Sequence, residues 1–297
     1  MTAALLLLPD FLLIALGALL LRSRWFDAGF WGGVERLVYF VLFPALLFRS
    51  LALSPLSPAD AGRLAIVGIA FTVAGMLLSA LARPLFRVPP PTFAACFQCG
   101  FRFNTYVALA AASRLGGAEG VALMSLLIGM LVPLVNVAAV GMLARGRGVR
   151  IFAAIARNPL VIACVAGICW NFARLSVPAL PSRVLELLAS AALPLGLLAV
   201  GAGLRFVRGA LSWGAFAWWH GVKLAALPAI ALLLAQALAL SPLERQIAVV
   251  MAAVPTATSA YILAVQMHVP GTPVALLISS GTLLAVVTLP LWIAAVT

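Results

Sequence analysis

Arg102, Asn104 and Thr105 stand within four residues of one another in FRFNTYVALAAASRLGG (101–117), inside an otherwise apolar run. A guanidinium, an amide and a hydroxyl at this spacing can do two kinds of chemistry: they can hold an anion, or they can satisfy backbone groups freed by an interrupted helix. On insertion scales an arginine at the centre of a membrane helix is unfavourable by about 2.5–3.5 kcal/mol, so it is expected to face a wet cavity, a partner or a ligand. Two readings of Arg102 stand: it supplies the charge of an anion site, or it snorkels or satisfies carbonyls freed at a break.

A second stretch, PTATSAYILAVQMH (255–268), has the same polar start and small residues. Asn104 and Thr256 occupy matching places, and both suit the N-cap of a half-helix, where a side-chain oxygen accepts from a freed backbone N–H. Pro255 lacks the N–H that a continuous helix uses. Breaks are therefore expected near 101–105 and 253–257.

Other polar residues have two readings each. Asn136, in VPLVNVAAV, points an amide into the same cavity or bonds a neighbouring helix. Thr258 and Ser259 line the second break or serve as small packing residues. In WWHGVK the tryptophans suggest an interfacial belt beside His220, and Lys223 faces a cavity or snorkels. Gln98 and Asp10 are further candidates for coupling or for the cavity, Asp10 alternatively being an N-terminal cap after Pro9. Cys96, Cys99, Cys164 and Cys169 read as small buried packing residues. The C-x-x-C pair has no second ligand pair after it, and His220 and His268 are not spaced as ligands, so no metal, cofactor or catalytic set is expected.

The elements that must position these residues follow from composition. The chain has 297 residues, 65% hydrophobic and 9% charged, with a mean hydropathy of +1.19. That is an integral membrane composition. Apolar runs near 4–21, 33–52, 63–82, 91–115, 119–144, 158–175, 183–206, 211–238, 243–267 and 273–296 predict ten spanning helices. No positive charge precedes the first run, while Arg22 and Arg24 follow it, so it reads as a span and not a signal peptide.

With the N-terminus outside, the inner connections carry Arg22, Arg24, Arg36, Arg83, Arg87, Arg145, Arg147, Arg150, Arg157, Arg205 and Arg208, against Arg49, Arg63, Arg114, Arg174, Arg183 and Arg245 outside. The positive-inside rule then puts both termini on the outer side. The formal net charge of +12 is mostly topology, spread over short loops, which argues against nucleic acid as a partner.

An offset of 150 residues lays Pro9 on Pro159, Gly17 on Gly167, Arg24 on Arg174 and Pro44 on Pro194. Five spans per half, an odd number, orient the second half oppositely and predict an inverted repeat. The expected units are 1–144, a cytoplasmic linker at 145–157 with a short interfacial helix at 150–157, and 158–297. Half-helices starting near 104 and 256 would turn two partly positive N-termini toward each other, an anion-binding arrangement with Arg102.

The residues just quoted, with FVLFPALLFRSLA, RNPLVIACVAGICWN and LPLGLLAVGAGL, resemble the auxin efflux carrier family in its shorter bacterial form, over essentially the whole chain. The resemblance implies an all-α membrane fold of ten helices in two inverted five-helix repeats, like the bile acid sodium symporters, with broken crossing helices 4 and 9. Helices 1, 2, 6 and 7 would form a scaffold, helices 3–5 and 8–10 a transport domain. It implies transport of organic anions such as malonate, malate or auxin-like acids, a homodimer through the scaffold, and a bacterial inner membrane location. Asn104 and Thr256 fall at the crossover and Asn136 at the family's polar position in the fifth span. The long cytoplasmic loop of plant carriers is absent.

The expected function is therefore a secondary carrier moving small organic anions by alternating access. A channel or non-transporting sensor of the same fold is the alternative, an intramembrane enzyme a more distant one. The fourth and ninth spans hold no Asp or Glu in their central parts, which predicts uniport or proton-linked movement over sodium symport.

Overall fold

The computed structural model describes residues 3–23, 25–53, 58–143, 158–205 and 211–297. The 145–157 linker and its short helix lie outside these residues. Among the described residues all regular structure is helical, and five stretches are long and apolar enough to cross a membrane: Gly62–Phe86, Pro90–Leu143, Ala179–Ala202, Trp213–Ala237 and Thr272–Val296.

The first helix, α1 (Ala3–Arg22), carries Pro9 inside it, so Asp10 lies within the helix and is not the cap that Pro9 suggested. Helix α2 (Ala28–Leu37) starts on Asp27, whose carboxylate accepts from the Phe30 N–H, and continues through a π-turn at Val38–Leu42 into α3 (Phe43–Ala52). Pro44 explains the wide turn, since it has no N–H to give to a carbonyl four residues back. The same device recurs between α10 (Trp213–Gly221) and α11 (Leu227–Ala237), where the π-turn Val222–Ala226 precedes Pro228. There the Leu224 carbonyl, which Pro228 cannot serve, accepts instead from the Trp292 indole N–H at 2.8 Å.

Helices α4 (Pro58–Ala80), α5 (Ala82–Phe86) and α6 (Pro90–Phe97) lead to the first interruption. A 3-10 turn at Gln98–Gly100 follows, residues 101–104 leave the helix, and α7 starts at Thr105 and ends at Leu143. Gly116 and Gly117 divide α7, Gly117 at φ +53°, a conformation that glycine adopts freely. Residues 105–115 and 118–143 are thus two helices meeting at a kink.

In the second half, α8 (Pro159–Phe172) is capped by Asn158, whose Oδ1 accepts from the Leu160 and Val161 N–H groups, with Pro159 at the first turn. Helix α9 (Ala179–Ala202) follows. Helix α12 (Pro242–Ala253) starts on a reciprocal capping box between Ser241 and Glu244 and stops where Val254 turns extended, at φ −62° and ψ 147°. A residue before proline is driven to that region, so Pro255 ends the helix twice over. Helices α13 (Ser259–Gln266) and α14 (Thr272–Val296) complete the chain.

Packing is organised around the interrupted elements. Every residue from Ile247 to Val254 is buried, as are Val107 to Ala112. The surrounding helices keep apolar faces outward, including Leu12, Leu16 and Leu19 on α1 and Leu283, Val287 and Leu291 on α14, as elements solvated by lipid would. Two pairs of helices pack through glycine. A Cβ on Gly17 would collide with the Leu198 carbonyl and one on Gly201 with the Ile14 carbonyl, so α1 and α9 approach backbone to backbone. A Cβ on Gly167 would lie 2.9 Å from the Phe48 carbonyl oxygen, so α8 and α3 also approach closely, though less so than α1 and α9.

Candidate functional site

Three hydrogen bonds tie the two interruptions together. The Asn104 N–H donates to the Pro255 carbonyl at 2.8 Å, the Thr256 hydroxyl donates to the Cys99 carbonyl at 2.7 Å, and Gln98 Nε2 donates to the Ala260 carbonyl at 3.1 Å. Each break therefore satisfies polar backbone groups of the other that no continuous helix serves. Gly100 lets α4 help: a Cβ there would fall 2.7 Å from Ser79 Oγ, and that hydroxyl donates to the freed Phe97 carbonyl at 2.6 Å.

Asn104 also caps the following helix, its Oδ1 accepting from the N–H groups of Tyr106 and Val107 at 3.1 and 3.3 Å. Its amide nitrogen, Nδ2, is buried and has no partner. Thr256 does something different from the cap expected of it. Helix α13 starts three residues later, at Ser259, with Thr258 in the cap position and no side-chain cap bond, because the Thr256 hydroxyl is engaged by Cys99 across the crossing.

A cavity of about 540 Å³ opens beside the crossing. Of the residues singled out from the sequence, Arg102, Asn104, Thr105, Asn136, Thr258 and Ser259 line it. Arg102 is 8% exposed, and its Nη1 and Nη2 donate to Gln98 Oε1 and Asn136 Oδ1, each at 2.8 Å. Both partners are neutral amides, so the guanidinium charge is held in place without being cancelled. Thr105 and Ser259, the first residues of the two half-helices, lie on the same cavity wall set. Two partly positive helix ends and one fixed cation meet at this cavity, with the buried amide nitrogen of Asn104 behind its wall. Positive helix ends beside a fixed guanidinium are the chemistry that favours an anion.

The remaining candidates lie elsewhere. Pro255 and Thr256 line a separate space of about 10 Å³ with Cys99, His220 and Lys223. Lys223 does not snorkel: it is 2% exposed and its Nζ donates to the Ala252 carbonyl at 2.7 Å. No interfacial belt surrounds His220 at Trp219, which is fully buried with its indole N–H on Ser79 Oγ. His220 itself pairs with Ser280 at 2.9 Å. Asp10 meets Arg114 at 3.4 Å, away from the cavity. Cys96, Cys99 and Cys164 are buried, but Cys169 is exposed, a correction to its reading as a packing residue. Among the described residues no group of three or more His, Cys, Asp or Glu side chains is placed to hold a metal ion.

The cavity also has walls that the polar residues did not announce. Phe43 and Tyr106 stack with ring centroids 4.7 Å apart and planes 10° from parallel. Tyr39, Glu35, Arg36 and Asn158 join them. Tyr39 and Phe43 are four residues apart on one helical strip, a signal available in the sequence once that strip is known to face Tyr106.

Compared with known proteins, the chain matches the family model described as membrane transport protein over residues 148–293. No curated protein matches it.

Proposed function

The chain belongs, through that match, to the membrane transport protein family, the auxin efflux carriers, and on this premise we propose that it is a secondary carrier of small organic anions, bound at the crossing of its two broken helices. It is a multi-pass membrane protein of a transporter family. One observation carries the finer reading. Thr105 and Ser259, the first residues of the two half-helices, line one cavity with Arg102 and Asn104. A carboxylate placed there would gain charge-assisted hydrogen bonds without displacing a protein carboxylate from Arg102.

The reading of ten spans in two inverted repeats draws support from packing. Gly17 of α1 meets α9, and Gly167 of α8 meets α3. If α1 corresponds to α8, and α2–α3 to α9, these are the same contact made twice, as a two-fold axis in the membrane plane would require. On this reading α1, α2–α3, α8 and α9 are the scaffold and the rest, with both crossings, the moving domain.

The cavity is lined by Gly32, Glu35, Arg36 and Asn158, which flank the connections assigned to the cytoplasm. With that sidedness, the cavity corresponds to an inward-open arrangement. At the opposite end Arg114, on the half-helix that starts at Thr105, is tied to Asp10 of α1. Alternating access then moves the crossing past the scaffold, breaking that tie and closing the wall around Glu35 and Arg36. No carboxylate lies among the residues at the crossing, which favours uniport or proton-linked movement over sodium symport. Two scaffolds would pack in a homodimer, both termini outside, in a bacterial inner membrane; light scattering of the detergent-solubilised protein should give a two-chain mass.

The site is tested by melting purified protein with mono- and dicarboxylates, because a ligand that binds the folded state raises its apparent stability. At least one carboxylate should raise the melting temperature of the wild type at concentrations about 10- to 150-fold lower than Arg102→Gln requires. Equal shifts in both proteins would remove Arg102 from the site.

A further inference from the structure

We infer that Gln98 is a positioning residue of the anion site: it aims the Arg102 guanidinium at the cavity, keeps its charge uncompensated, and links its direction to the second crossing. The inference rests on the reading of the cavity as an anion site.

Gln98 is wholly buried and does not line the cavity. A primary amide offers two N–H donors and an acceptor oxygen, and here all three capacities are used. Nε2 donates to the Ala95 carbonyl at 3.2 Å and to the Ala260 carbonyl at 3.1 Å, while Oε1 accepts from Arg102 Nη1 at 2.8 Å. Ala95 belongs to α6, before the first break, and Ala260 to the first turn of α13, after the second. One side chain therefore spans both interrupted elements and holds the cation between them. A displacement of α13 relative to α6 must strain or release the bond that aims Arg102.

No other side chain of similar size does this. Methionine has the length but neither donor nor a strong acceptor. Glutamate has the length and would bind Arg102 more strongly, yet its carboxylate cannot donate to two carbonyls, and its charge would neutralise the guanidinium next to the cavity. A neutral amide is the group that orients an arginine without competing with an anionic ligand for its charge. Asn136 Oδ1, on Nη2, repeats the choice from the other side.

The proposal makes a claim that simple support of the fold does not. In the wild-type background, Gln98→Met and Gln98→Glu should both weaken binding of a carboxylate, Gln98→Glu the more, by about 10- to 150-fold, the loss expected when one charge-assisted contact is cancelled. In an Arg102→Gln background Gln98→Met should not weaken binding further, because there is no guanidinium left to aim.

The experiment titrates malonate and, separately, indole acetate against the melting temperature of the detergent-solubilised full chain, for wild type, Gln98→Met, Gln98→Glu, Arg102→Gln and the two double variants. Melting temperatures without ligand report any loss of fold, and Gln98→Glu, which keeps size and the bond to Arg102, remains informative if Gln98→Met is unstable. A loss for Gln98→Met that disappears in the Arg102→Gln background, with Gln98→Glu the weaker binder in the wild-type background, supports the proposal. If Arg102→Gln weakens binding while both Gln98 variants bind as wild type does, or if the Gln98→Met loss adds to that of Arg102→Gln, Gln98 has no positioning role and the anion site stands. If Arg102→Gln binds normally, or neither acid stabilises the wild type, the anion-site reading itself falls, and the role of Gln98 with it.

Discussion

The two crossing segments begin from similar stretches of sequence and do different work. At 98–107 the break carries its own cap, its own cation and an unpartnered amide. At 253–261 it offers a carbonyl from Pro255, a hydroxyl from Thr256 and a helix end at Ser259 without a side-chain cap. On the proposed reading the first break holds the chemistry, and the second completes the backbone of the first. Two stretches with similar starts come to differ because each is free to specialise once the other satisfies its exposed backbone groups.

Substitutions that separate these roles should differ in kind as well as size. Arg102→Gln gives the largest effect on function: about 10- to 150-fold in carboxylate affinity, with the melting temperature of the ligand-free protein little changed. Ligand titration by thermal shift measures both. Thr256→Val keeps the shape of the side chain but leaves the buried Cys99 carbonyl without its donor, a loss of about 1–3 kcal/mol in stability. Affinity of the folded fraction should stay within a factor of two or so of wild type. A Thr256→Val protein that is stable but cannot bind would instead move the second break into the ligand site.

Asn104→Ala should lower stability and affinity together, because one residue serves as cap and as cavity donor; loss of a cap amounts to about 0.5–2 kcal/mol. A fall in stability with unchanged affinity would show that the free Nδ2 does not meet the ligand. The smallest effect belongs to Asp10→Asn. Its partner Arg114 is 45% exposed and the pair is 3.4 Å apart, so about 0.2–1 kcal/mol is expected, measurable as a small drop in melting temperature.

Much of this fold is legible in the sequence, since apolar runs near 63–82, 183–206, 211–238 and 273–296 fall on helices and Pro255 marks where α12 stops, although Pro9 beside Asp10 interrupts nothing. Local chemistry reads equally well: Asn104 caps the helix two residues on. What local reasoning cannot supply is a partner distant in sequence. Thr256 has the side chain of a cap, but Cys99 lies 157 positions away and takes the hydroxyl. Asp10 reads as a residue of the cavity or as a cap, but Arg114, 104 positions on, pairs with it away from the cavity and inside a helix. Trp219 read as an interfacial residue because tryptophan favours the membrane surface, whereas Ser79 receives its indole N–H in the interior. The aromatic wall of Phe43 and Tyr106 was missed for the same reason, being two ordinary apolar residues until the helices that carry them meet.

The central claim, that the crossing binds an organic anion which the protein then moves, is tested most directly by counterflow. Proteoliposomes loaded with unlabelled carboxylate, malonate or indole acetate in turn, are diluted into a trace of the labelled compound. The account predicts transient accumulation of label by the wild type and none by Arg102→Gln reconstituted at equal density. Accumulation that is the same in both proteins, or absent from the wild type with either acid, would contradict it.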